Sequence, residues 1–92
     1  MNVRIRAFAR FREIIGGENT LELHDGTSVL GALKSLSAGS KDFRDACFDR
    51  EGTIAPHVVL MINGKRISGR DREALVLHDG DELAIFPPVA GG

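Results

Sequence analysis

The sequence ends in Gly91-Gly92, and this pair is the part of the chain best suited to do chemistry. A free carboxylate at the end of a thin tail can be inserted into the active site of another protein. Glycine has no Cβ, so such a tail can pass a channel that any other residue would block. The pair therefore predicts a tail that delivers its carboxylate to a partner.

The lead-in to the pair favours an extended tail. It consists of Pro87, Pro88, Val89 and Ala90. The prolines have no amide hydrogen and favour extended polyproline geometry. At roughly 3.1–3.5 Å per residue, the chain after Phe86 can reach about 20 Å. The alternative is an idle, frayed terminus. We expect a folded domain over 1–86 and a functional tail over 87–92.

Other chemically active residue types form no recognisable site. The three histidines are far apart in sequence and none has metal-ligand spacing, so we expect surface positions for His24, His57 and His78. The single cysteine, Cys47, can form no internal disulfide and cannot hold an iron–sulfur cluster. Its helical spacing predicts a small core residue rather than a reactive thiol. With no catalytic triad and no phosphate-binding glycine loop, we predict a non-enzyme that binds no metal or cofactor itself.

Composition limits the class of protein. The chain has 92 residues, 42% of them hydrophobic and 27% charged, which predicts one globular domain. Its net charge of −1 argues against a nucleic-acid partner. No apolar run reaches the length of a membrane span, and the N-terminus lacks the hydrophobic stretch of a signal peptide. We therefore predict a cytoplasmic protein with no membrane partner.

The basic residues are concentrated near the N-terminus. Arg4, Arg6, Arg10 and Arg12 all precede the first acidic residue, Glu13. This distribution predicts a local binding face that includes Arg4 and Arg6, with a solvated edge strand as the alternative.

Hydrophobic periodicity and turn residues predict the elements that position the tail. Strands are expected over 3–8, 20–24, 58–62, 65–67 and 82–86, and short helices over 9–15 and 41–48. The main helix begins near Val29 after a Thr27 or Ser28 cap. The apolar run 58–62 predicts a strand buried on both faces, and Asn63-Gly64 predicts a hairpin. One main helix on one face of a mixed sheet of about five strands is an α+β fold. Its element order resembles that of the β-grasp, the ubiquitin fold.

Strand parity places two aromatic residues together. If Val3 and Ile5 face the helix, then Arg4, Arg6 and Phe8 face away from it, and the same argument applied to the last strand turns Phe86 outward. The first and last strands of a β-grasp are parallel neighbours. Phe8 and Phe86 are therefore expected side by side at the root of the tail, as a docking patch. The alternative is that one ring only covers the sheet edge.

Two segments resemble one family. The C-terminal DGDELAIFPPVAGG at 79–92 looks like the terminus of the small subunit of molybdopterin synthase, and is also similar to that of the small archaeal ubiquitin-like modifiers. The segment FARFREIIG at 8–16 resembles the matching early segment of the same family. The resemblance covers nearly the whole chain.

The resemblance implies a sulfur carrier or a protein modifier. In that family an E1-like enzyme uses ATP and Mg²⁺ to adenylate the terminal carboxylate, and sulfur then replaces AMP to leave a thiocarboxylate. The synthase large subunit passes this sulfur to the precursor of molybdopterin or tungstopterin. In the modifier branch, the carboxyl is joined to a lysine of a target protein.

The family roles transfer to this chain by position. Gly92 would carry the activated carboxyl and Gly91 would allow close passage, while Phe8 and Phe86 match the docking face. The tail would be shaped by Pro87, Pro88, Val89 and Ala90. The charged Lys65 and Arg66 stand where a more apolar patch is expected, and region 43–58 is longer than in compact members, which slightly favours the modifier branch. Carriers for thiamine or cysteine synthesis and a non-covalent interaction module remain alternatives.

Overall fold

The computed structural model describes residues 1–87, except for the side chain of Arg70. Its strands are β1 (Asn2–Ala7), β2 (Glu18–Glu22), β3 (Val59–Ile62), β4 (Lys65–Ile67) and β5 (Glu82–Phe86). Its α-helices are α1 (Ala9–Ile15), α2 (Val29–Ala38) and α3 (Lys41–Cys47), and a short 3₁₀ helix covers Arg70–Ala74. The predicted elements are all present, with boundaries that shift by one or two residues.

The five strands form one mixed sheet in the order β2-β1-β5-β3-β4. The central pair, β1 and β5, is parallel. The flanking pairs, β1 with β2, β3 with β5 and β3 with β4, are antiparallel. This arrangement confirms the predicted α+β architecture, and it brings the first strand against the strand from which the tail leaves.

Strand β1 alternates strictly between the two faces of the sheet. Val3, Ile5 and Ala7 are buried, while Arg4 and Arg6 are exposed. The alternation confirms the predicted parity. The edge-strand alternative for the arginines is wrong, because β1 lies between β2 and β5 and has no free edge.

Helix α2 covers one face of the sheet. Its N-terminus is capped by Ser28, whose Oγ accepts a hydrogen bond from the Gly31 amide at 3.1 Å. Such a cap contributes about 1 kcal/mol to helix stability. The helix buries Val29, Ala32 and Leu33 against the sheet core, and so forms the main layer opposite the strands.

The hairpin between β3 and β4 forms at the predicted turn. Asn63 and Gly64 both have positive φ, +50° and +82°, as a two-residue turn of this kind requires. The Asn63 side chain also ties the turn to the start of β5, since its Nδ2 donates to Asp81 and its Oδ1 accepts from the Glu82 amide, both at 2.9 Å. This contact fixes the hairpin against the sheet.

The prediction that β3 is buried on both faces is wrong. Leu60 is buried in the core, whereas Val59, Met61 and Ile62 are only half-buried. The helices fill the core on one side of the sheet, and Val59 and Met61 point to the other side. The apolar run therefore reflects a core face and a second, open apolar face.

The 3₁₀ helix is an element that the periodicity of the sequence does not predict. Its Arg72 donates hydrogen bonds to the carbonyl oxygens of Val58 and Ala55, the latter at 2.9 Å. Its Glu73 accepts one from the Ile54 amide at 2.7 Å. The short helix therefore holds the loop that leads into β3.

Candidate functional site

Phe8 and Phe86 form a stacked pair where the tail begins. Their ring centroids are 4.3 Å apart and the ring planes differ by 8°. The backbone sets up this contact, because the Phe8 amide donates to the Ile85 carbonyl at 3.2 Å and continues the parallel pairing of β1 with β5. Both side chains are half-buried, so they keep an accessible surface. The predicted juxtaposition is confirmed.

The stack forms one wall of an open groove of about 950 Å³, which we call the apolar groove. It runs from the start of α1 to the outward face of β3. Its lining residues are Phe8, Ala9, Arg10, Phe11, Ala46, Val59, Met61, Arg66, Phe86 and Pro87. All are apolar except the two arginines, and no carboxylate of residues 1–87 lines it. A surface of this composition is suited to bind a partner protein.

The first residue of the predicted tail segment, Pro87, is one of the residues that line this groove. The remaining predicted tail residues lie outside the described part of the chain: Pro88, Val89, Ala90, Gly91 and Gly92. A protein that fills the groove therefore sits beside the point from which the tail departs.

The two arginines predicted to bind a partner are engaged with the carboxylates of the sheet itself. Arg4 donates from Nε to Glu18 at 3.2 Å and lies 3.7 Å from Glu82. Arg6 lies 3.5 Å from Glu82, and its guanidinium is 5.3 Å from the centre of the Phe8 ring. The hydrogen bond and the charge of Arg4 lower the pKa of Glu18. The role of Arg4 and Arg6 in binding a partner stays a prediction.

Cys47 is a core residue, as predicted. It is fully buried, and burial raises its thiol pKa to about 12. A thiol with this pKa is unreactive near neutral pH, because the thiolate is the reactive form. His24, His57 and His78 are exposed, as expected.

The described residues hold neither a metal-binding cluster nor a membrane-spanning helix. Within 1–87, no group of three or more His, Cys, Asp and Glu side chains is arranged to hold a metal ion. In the same part of the chain, no helix is both long and apolar enough to cross a membrane.

Much of the groove was not predicted from the sequence. The sequence predicts Val59 and Met61 in a strand buried on both faces, and it places Arg66 only where a more apolar patch is expected. It does not connect Arg10 or Ala46 with the aromatic pair. The signal that could have found Val59 is strand parity, because Val59 pairs with Phe86 across β3 and β5. The other positions meet only through the tertiary fold.

Comparison with known proteins identifies the family. The model of the ThiS family matches residues 5–92, which is nearly the whole chain. This chain belongs to the ThiS family. The predicted resemblance to ubiquitin-like sulfur carriers and modifiers is thereby confirmed.

Individual relatives of this ThiS-family chain carry both of the predicted family names. Small archaeal modifier protein 3 of Haloferax volcanii is 36% identical over 93 residues, with both chains covered completely. The molybdopterin synthase sulfur carrier subunit of Chlamydomonas reinhardtii is 32% identical, again over 100% of both chains. The crystal structure of small archaeal modifier protein 1 of H. volcanii superimposes with a TM-score of 0.86 at 26% identity, covering 100% of both chains. The fold is therefore the ubiquitin-like β-grasp.

Proposed function

We propose that this chain is a ubiquitin-like carrier whose Gly92 carboxylate is adenylated by an E1-like enzyme and then converted to a thiocarboxylate. The observation that carries the proposal is the apolar groove at the origin of the tail, with the Phe8–Phe86 stack as its wall. The groove supplies a docking surface, and the tail supplies the reacting group. The match of the family model, which extends to residue 92, supports the same assignment.

The proposed chemistry explains why a partner is needed. A carboxylate is a poor electrophile, so its oxygen first attacks the α-phosphate of ATP and releases pyrophosphate. Sulfide then attacks the carbonyl carbon of the acyl-adenylate, the bond from that carbon to the AMP oxygen breaks, and AMP leaves to give the thiocarboxylate with no change of oxidation state. The ATP and Mg²⁺ belong to the activating enzyme, and the role of this chain is to bind that enzyme and position the tail. We propose that the reaction takes place in the cytoplasm, where ATP is available to the activating enzyme.

Two fates of the activated carboxyl follow from the relatives. In the first, the thiocarboxylate donates sulfur in molybdopterin or tungstopterin synthesis, bound to a synthase large subunit. The name of the C. reinhardtii relative favours this fate. In the second, Gly92 is joined by an amide bond to lysines of target proteins, which the modifier names of the H. volcanii relatives favour. Both fates begin from the same acyl-adenylate, so one chain can serve both.

Mass spectrometry of C-terminal peptides from native cells, recovered under denaturing conditions, tests the proposal. A terminal peptide with one oxygen replaced by sulfur supports the carrier function. Peptides with Gly92 joined to a lysine of another protein support the modifier function. A chain that lacks Gly92 is the control. An unmodified carboxylate alone, in cells with an active E1-like enzyme, would contradict the proposal.

A further inference from the structure

Among the described residues, the charged side chains that line the apolar groove are all positive. Its two charged lining residues, Arg10 and Arg66, are both exposed and both cationic. Neither forms an ion pair with any residue of the described range. Arg66 also borders a neighbouring depression that contains one carboxylate, Glu73. That carboxylate already accepts a hydrogen bond from the Ile54 amide.

Nearby arginines differ from these two. Arg4 and Arg6 lie on the same side of the sheet but are within ion-pair distance of Glu18 or Glu82. The sheet therefore balances the charges of β1 itself, whereas no carboxylate of residues 1–87 pairs with the two cations of the groove. A partner that buried this groove would have to supply the counter-charge, because an unpaired buried cation is strongly unfavourable.

The apolar lining of the groove is suited to a large apolar side chain. It includes the Phe8–Phe86 stack and, on the outward face of β3, Val59 and Met61. Aromatic rings give a rigid contact surface, and a methionine side chain adapts its shape to what it binds. One large side chain can contact this apolar lining in the same groove that Arg10 and Arg66 line.

We propose that Arg10 and Arg66 determine which partner this chain binds, by selecting a protein segment that presents a large apolar side chain flanked by carboxylates. The inference rests on the proposed function, because the segment belongs to the partner protein that receives the tail, which begins at Pro87. The apolar side chain supplies buried area, and the carboxylates supply orientation and a faster association rate. Arg10 and Arg66 are positioning residues and take no part in the reaction.

A peptide titration tests this inference without the activating enzyme. The probe is a synthetic nonapeptide with a central Phe flanked by Asp and Glu, and its control has Lys at the flanking positions. The readout is the change in backbone amide NMR shifts of the full chain. We expect groove residues to shift with the acidic peptide only, and the double variant Arg10→Glu/Arg66→Glu to reverse this preference. Equal binding of both peptides by the unaltered chain overturns the inference.

The second test measures the kinetics of adenylation by the E1-like enzyme from the native cells of this chain. We expect Arg10→Glu/Arg66→Glu to raise KM for the carrier by about tenfold or more with kcat unchanged, and the effect to shrink at high salt. The matched control is Lys41→Glu/Arg50→Glu, which changes the net charge equally at exposed positions outside the groove. We expect it to change KM less than about twofold, and thermal unfolding to show that both variants are folded.

The outcomes separate the two proposals. If the unaltered chain is adenylated and the two double variants have the same KM, the arginines do not select the partner and the inference fails. If the unaltered chain is not adenylated at all, the proposed function fails. The peptide titration then still decides whether the groove prefers an acidic segment.

Discussion

Phe8 and Phe86 stack at 4.3 Å because the parallel pairing of β1 with β5 places their backbones side by side. The contact joins the residue that precedes α1 to the last residue of the final strand. The stacked pair therefore forms only when the two ends of the domain are folded together. A contact of this kind can be tested separately for its part in folding and its part in binding.

The aromatic pair is expected to matter more for binding than for folding. We predict that Phe8→Ala and Phe86→Ala each weaken the complex with the E1-like enzyme by about 2 kcal/mol or more, as central aromatic residues of an interface do. In the free chain, each substitution should lower the free energy of unfolding by about 1–2 kcal/mol, less than for a fully buried Phe, because the two residues are only partly buried. A double-mutant cycle should give a coupling of about 0.5–1.5 kcal/mol for the stack.

Calorimetric titration measures the affinity for the E1-like enzyme, and thermal unfolding measures the stability of the free chain. Phe48→Ala is the matched control, since Phe48 is also half-buried but does not line the apolar groove. Loss of stability with unchanged binding would show that the rings only cover the sheet edge.

The terminal glycines are expected to be required for function but not for stability. We predict that deletion of Gly92 or Gly91→Phe abolishes thiocarboxylate formation, whereas Gly91→Ala retains part of it because a methyl group adds little width. The core cluster of the described residues ends at Ile85, so each change should shift Tm by less than about 2 °C. Mass spectrometry and thermal unfolding check this. A large fall in Tm would show that the tail packs on the domain.

Local signals were sufficient to predict much of the fold and part of the site. The Ser28 cap, the Asn63-Gly64 turn and the outward parity of Phe8 and Phe86 each depend on a few neighbouring residues and on simple geometry. These features were confirmed. The aromatic pair was predictable because strand alternation and one topological assumption were enough to bring it together.

The rest of the groove depends on contacts between distant segments. Ala46 of α3 and Arg66 of β4 reach it only through the packing of α3 and the pairing of β3 with β4. The apolar run of β3 led to the wrong prediction that this strand is buried on both faces. Periodicity alone does not distinguish a strand covered on both faces from one with an open apolar face. The hydrogen bonds from Arg72 that hold the loop before β3 likewise join residues far apart in sequence.

Asp81 is expected to stabilise the fold above pH 4. Its side chain, 16% exposed, accepts hydrogen bonds from Asn63 Nδ2 at 2.9 Å and the His78 amide at 2.8 Å, and these lower its pKa. A lowered folded-state pKa gives stability that is present above the unfolded value, about 3.9, and is lost as pH falls through the folded value. Asp81→Ala should therefore lower the free energy of unfolding by about 1–3 kcal/mol at pH 7.

Urea unfolding between pH 2 and pH 7 measures this effect. The Asp81→Ala chain should lose stability less steeply than the unaltered chain below pH 4, because one carboxylate no longer contributes. Glu51→Gln serves as the control, since the Glu51 side chain is exposed and forms no ion pair or hydrogen bond with the described residues. Parallel pH profiles for the unaltered chain and Asp81→Ala would contradict the assignment.

Cys47 is expected to make the fold sensitive to alkaline pH. Its folded-state pKa is raised to about 12 by burial, whereas an unfolded thiol has a pKa of about 8.5. Above the unfolded value the unfolded chain loses a proton that the folded chain retains. Stability should therefore fall by about 1.4 kcal/mol per pH unit from about pH 9 toward pH 12. The chain has no tyrosine to add to this slope.

Denaturant unfolding between pH 7 and pH 11 measures the slope, with Cys47→Ala as the matched variant that lacks the thiol. The comparison concerns the slopes, because the variant also leaves a small cavity that lowers stability at every pH. In the folded chain the thiol should resist labelling by a disulfide reagent at pH 8 and react fully after unfolding. Rapid labelling of the folded chain, or equal alkaline slopes for the two chains, would show that Cys47 is not held as a buried neutral thiol.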